Sequence, residues 1–126
     1  MRAEDVVQRV ESYFLADVRQ DMAARHLAAL ALRIVPKPDG KRRSWPSIAR
    51  AIGTKDHTNA MWHAYRGFSA LEMADRERFF VMLARETGAR ARYEFLDQTF
   101  LDSMYAKEEN NRRRARHYAR RRRATS

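Results

Sequence analysis

Apolar residues recur three and four positions apart along most of this chain, which confines it to an all-α fold. Over residues 3–16, Val6, Val7, Val10, Tyr13 and Phe14 form one face of an amphipathic helix. Met22, Ala23, Leu27, Leu30, Ala31 and Ile34 form a second stripe over residues 18–34, where many alanines favour the helix. The run Pro36-Lys37-Pro38-Asp39-Gly40 ends it, because proline cannot continue the ladder and disfavours helix in the residue before it.

Local punctuation then predicts two short helices joined by a tight turn. Ser44 suits an N-cap and Pro46 the first turn of a helix over residues 45–52 that buries Ile48, Ala49 and Ile52. Gly53 closes that helix in the left-handed conformation, and Asp56 caps the next one, over residues 57–68. At 100° per residue, Ala60, Met61, Ala64 and Phe68 face one way, with Asn59, Trp62, His63 and Arg66 opposite. Helix, glycine turn and helix at this spacing make a helix-turn-helix, over about residues 44–68, whose second helix is the recognition candidate. Trp45 is expected in the core. Trp62 is expected either along a groove wall or under the following helix.

Ser69-Ala70-Leu71-Glu72 has the form of a capping box and predicts a helix from Ser69 to about Thr87, stopped by Gly88. A last helix is expected from about residue 91 to 105 or beyond, with Phe95, Leu96, Phe100, Leu101 and Met104 as its apolar content. The expected organisation is one helical domain over residues 1–106 and an Arg-rich tail over residues 107–126 that frays when free.

The formal charge of +10 is unevenly distributed. Residues 37–66 carry seven basic and two acidic side chains, and residues 107–126 carry nine and two. Residues 1–36 are neutral, and residues 67–106 have a net charge of −2. Two positive blocks, one on a turn–helix signal, point to a polyanionic partner, nucleic acid first. Cysteine is absent, so there is neither a disulfide framework nor a thiolate metal site. No stretch approaches the roughly 20 apolar residues of a membrane span, and the first residues lack the apolar run of a signal peptide. The expectation is a cytoplasmic, nucleoid-associated protein with no membrane partner.

Glycine occurs only at 40, 53, 67 and 88, so no Gly-rich phosphate loop is present. His57 and His63 are six residues and about 120° apart on a helix, a poor pair for one ion. No catalytic residue, metal site or cofactor is therefore expected, and the chain is read as a non-enzyme.

The stretch from Ser44 to Thr58 resembles the C-terminal DNA-binding domain of the bacterial replication initiator DnaA. Ser44, Pro46, Ile48, Gly53, Asp56, His57 and Thr58 match that family's helix-turn-helix, and Ile52 and Lys55 are similar to its residues. The alignment runs without a gap from Ser44 to Trp62; Asn59 stands where the family has threonine, and Trp62 where it has histidine. The Ala24-Arg25-His26-Leu27 segment weakly resembles the helix that supplies phosphate contacts in that family.

The resemblance implies a sequence-specific protein of double-stranded DNA, without the ATPase module, regulating replication initiation or transcription at DnaA-box-like sites. It implies base contacts by Asp56, His57, Thr58 and Asn59, residue types that match cytosine N4, purine N7 or O6, the thymine methyl and adenine. Backbone contacts are expected from Arg25, Lys41, Arg42, Arg43, Arg50, Lys55 and Arg66. The tail arginines Arg112, Arg113, Arg114, Arg116, Arg120, Arg121, Arg122 and Arg123 are expected to add non-specific affinity. Two other roles remain open at this point: an adaptor whose helices after Ser69 bind a replication or transcription protein, and an RNA-binding protein led by the Arg tail.

Overall fold

The computed structural model describes the chain from residue 1 to residue 125, and its side chains to residue 122. Among the described residues six helices follow one another: α1 (Ala3–Phe14), α2 (Met22–Ile34), α3 (Trp45–Ile52), α4 (His57–Ser69), α5 (Met73–Thr87) and α6 (Gln98–Thr125). A single 3₁₀ turn, Tyr93–Phe95, precedes α6. No strand occurs among the described residues, in agreement with the all-α expectation. Met1–Leu96 forms one unit and Asp97–Ser126 a second.

In the first unit α2 is the central helix. Every residue from His26 to Ile34 is buried, because α1, α3, α4 and the 3₁₀ turn all pack against it. Ala24, Ala28, Ala29 and Ala31 keep its surface low enough for such close neighbours. Gly67 of α4 reaches deepest: a Cβ there would press into the backbone carbonyl of His26, with the carbonyl carbon only 2.9 Å away. Val6 and Val10 of α1, Ile48 and Ile52 of α3, and Tyr65 of α4 complete the core. On α5 the buried residues are Phe79, Phe80 and Leu83, with Phe79 edge-on to Tyr13 of α1 at 5.6 Å.

Several helix boundaries differ from the sequence expectation, each for a local reason. α1 stops at Phe14, where Leu15 turns left-handed with φ 52°. α2 starts at Met22 rather than at Val18, because the Asp21 carboxylate takes the Ala24 N–H at 2.8 Å and caps it. Val18 is instead buried in the intervening turn, its N–H held by Glu11 and its carbonyl by Arg25. Ser69 does not cap α5. It is the last residue of α4, and its hydroxyl donates back to the Tyr65 carbonyl at 2.9 Å, so α5 begins only at Met73.

Helix does not resume at residue 91 either. The Arg92 N–H donates to the Ile34 carbonyl at 2.7 Å, tying this strap to the end of α2, and the 3₁₀ turn follows. The second unit consists mainly of α6, which runs past Lys107 to Thr125. No glycine or proline follows Gly88 to stop it, and alanine, glutamate and arginine all favour helix.

Candidate nucleic-acid interface

The turn between α3 and α4 is built from short-range hydrogen bonds. The Ser44 hydroxyl caps α3 by accepting the Ser47 N–H at 3.3 Å. Gly53 adopts φ 77°, and its N–H and that of Thr54 both return to the Ala49 carbonyl. A left-handed residue is required here, and glycine adopts it without strain. Asp56 then caps α4, its carboxylate accepting the Asn59 N–H at 2.9 Å.

Lys55, Asp56, His57, Thr58 and Asn59 are all exposed, and burial begins at Ala60. The four residues expected at base edges therefore share the solvent-facing first turn of one helix. That turn also carries the unpaired N–H groups and the positive end of the helix dipole, which favour anions.

Farther along α4 the buried side is wider than the periodicity implied. Ala60 and Ala64 face inward as expected, and Tyr65 joins them. His63 was expected to point outward but is buried against α2, because α4 packs on α2 as well as on α3. Its Nδ1 lies 3.0 Å from Nδ1 of His26. Trp62 is 42% exposed, and its ring stands edge-on to His26 at 5.3 Å. The Arg66 guanidinium lies over the Trp62 ring at 5.7 Å and is partly buried. Trp45 is buried, as expected, under the Arg33 guanidinium at 4.2 Å.

The expected phosphate contacts divide into exposed and structural groups. Lys41, Arg42, Arg50 and Lys55 are exposed. Arg43 is not available: only 4% of it is exposed, and its guanidinium donates to the carbonyls of Leu32, Val35 and Met1. It satisfies carbonyls at the end of α2, which a helix terminus leaves without internal partners. Arg25 is half-buried and donates to the carbonyls of Val18 and Arg19, so holding the turn ahead of α2. Arg50 borders a shallow depression with Arg19, Glu4, Glu11 and Asp17, so carboxylates share its surroundings.

Sequence reasoning overlooked Arg33 and His26, both buried on α2. Arg33 donates to the carbonyls of Phe95 and Arg43, and so joins the strap after α5 to the basic loop. Arg19 stands close to the α3–α4 turn as well. Its guanidinium lies over Gly53, 3.1 Å from where a Cβ would stand, beside the turn into α4.

On α6, Arg112, Arg113, Arg114, Arg116, Arg120, Arg121 and Arg122 are all exposed. Glu109 lies 3.6 Å from both Arg113 and Arg116, and the Arg122 guanidinium stands 5.9 Å from the Tyr118 ring. The Arg123 side chain is outside the described residues. No cluster of three potential metal ligands and no helix long and apolar enough to cross a membrane occurs among the described residues.

Comparison with protein-family models, with curated proteins and with solved structures finds no match to this chain.

Proposed function

We propose that this chain is a sequence-specific double-stranded DNA-binding protein that regulates replication initiation or transcription at DnaA-box-like sites. The observation that carries the proposal is the exposure of residues 55–59 together on the first turn of α4. His57, Thr58 and Asn59 present there a donor, a methyl-bearing hydroxyl and an amide, the groups that distinguish base edges in a major groove. Lys55 neutralises an adjacent phosphate, and Lys41 and Arg42 extend the cationic surface. Arg25 and Arg43 act indirectly, by holding the turns that frame α2.

Selection of bound duplexes from a random pool tests this, with wild type, His57→Ala and Asn59→Ala compared. The expected result is one enriched motif whose preference relaxes at different positions in the two variants. An identical motif from all three proteins would exclude these side chains from base readout. No enrichment from the wild type would end the proposal.

A second reading, an adaptor for a replication or transcription protein, is favoured by one observation. Met73 and Val81 of α5 are 65% and 50% exposed. Replacing both with lysine separates the two: lost partner capture with intact DNA selection supports the adaptor.

A further inference from the structure

The Arg-rich stretch of α6 is basic on all sides. At 100° per residue, Arg112, Arg116, Arg120 and Arg113 cover one side of the helix. Arg114 and Arg121 lie nearly opposite, and Arg122 occupies a flank between them. Ala115, Ala119 and Tyr118 are too few to make an apolar face. Arginines four apart on one helix face repel, and of the acids in residues 107–126 only Glu108 and Glu109 offset them. Such a helix is best stabilised by an anion that surrounds it.

We propose that residues 112–122 form a second duplex-DNA-binding element, a continuous basic helix that lies in a major groove between two rows of phosphates. A helix that binds a membrane surface or an acidic protein face needs its cations on one side, with apolar residues opposite. This one has cations on both. The B-form major groove is about 12 Å wide and admits an α-helix with phosphates on either rim. The A-form RNA groove is deep and narrow and excludes it, which favours DNA over double-stranded RNA. The described helix of residues 112–122 is about 16 Å long, roughly half a turn of duplex. Phosphates on both sides then relieve the repulsion between Arg112, Arg116 and Arg120, so binding and helix formation reinforce each other. The element is separate from the first turn of α4 and adds affinity without a base preference of its own.

The test uses the full chain, a duplex of roughly 20 base pairs with random sequence, and an RNA duplex of equal length, over a salt series. Replacing Arg112, Arg116 and Arg120 with glutamine should flatten the dependence of log affinity on log salt by roughly 3. Ala115→Pro keeps every charge and breaks the helix, and it should weaken DNA binding at least tenfold, with the DNA-induced gain in helical circular dichroism lost. Ala119→Pro repeats the test in case the first variant also lowers the melting temperature. Wild-type affinity in the proline variants would overturn the proposal, leaving the arginines as an unstructured charge. Equal or tighter binding of the RNA duplex would overturn it as well. A loss confined to sequence preference, as in His57→Ala, speaks only to α4, so the two proposals fail separately.

Discussion

The Nδ1 atoms of His26 and His63 lie 3.0 Å apart in the buried seam between α2 and α4. One ring donates from Nδ1 and the other accepts there, so the acceptor must stay neutral. Protonating the donor at Nε2 preserves the contact but creates a cation near Arg25 and Arg66. Burial, then His63, Arg66 and Arg25, push the His26 pKa down to about 4, and burial followed by Arg25 also lowers that of His63. The orientation of the candidate recognition helix thus depends on a neutral histidine pair.

The pair makes stability pH-dependent with a definite sign. In the unfolded chain His26 titrates near 6.5, and in the folded chain near 4. Between these values the unfolded state binds more protons, so the contribution is complete above pH 6.5 and declines as pH falls toward 4. The expected loss is about 2 kcal/mol across that window. Urea titrations at a series of pH values should show this slope in the wild type and a shallower one in His26→Gln. Equal slopes would mean that the pair does not control acid stability.

Gly67→Ala sets two effects against each other. In a helix interior alanine is ordinarily favoured by about 0.5–1 kcal/mol. Here the added methyl would meet the His26 backbone carbonyl, which cannot move without displacing α2. Overpacking of this kind costs about 2 kcal/mol, so the net effect is destabilising, read as a lower melting temperature. A variant as stable as wild type would show that the α2–α4 crossing is looser than described.

Arg43 and Lys41 are two residues apart in one basic loop and should behave oppositely. Arg43→Ala leaves the carbonyls of Leu32 and Val35 without their buried donor and should cost about 3 kcal/mol in denaturant unfolding. Lys41→Ala is expected to alter stability by less than about 0.5 kcal/mol and to weaken DNA binding at low salt. Similar stability losses in both variants would contradict the burial of Arg43.

Asp56 separates capping from base contact. Asp56→Ala should cost about 1 kcal/mol of stability by removing the acceptor for the Asn59 N–H. Asp56→Asn keeps an acceptor and should melt close to wild type. If the carboxylate accepts from a cytosine amino group, Asn changes the base selected at that position. An unchanged motif in Asp56→Asn would leave Asp56 a cap alone.

Features decided within one helical turn were legible in the sequence. Ser44, Gly53, Asp56 and Gly88 act as caps or stops where the residue types required them, since each acts on backbone groups a few residues away. The exposed first turn of α4 was legible for the same reason. Signals that compete at short range were less clear: Ser69 can cap a following helix or bond back to the preceding one, and the packing of α4 selected the second.

The all-α class, the helix-turn-helix punctuation and the two basic blocks therefore follow from the sequence by itself, because periodicity, capping and charge are local properties. Only the tertiary structure decided that Arg43 is a structural donor, that Arg25 holds a turn, and that His63 pairs with His26. Each depends on a carbonyl or ring brought in from elsewhere in the chain: from Met1 to Arg43, from α2 to His63. Desolvation there makes a buried polar group satisfy itself inside the protein, whatever its charge suggests on paper.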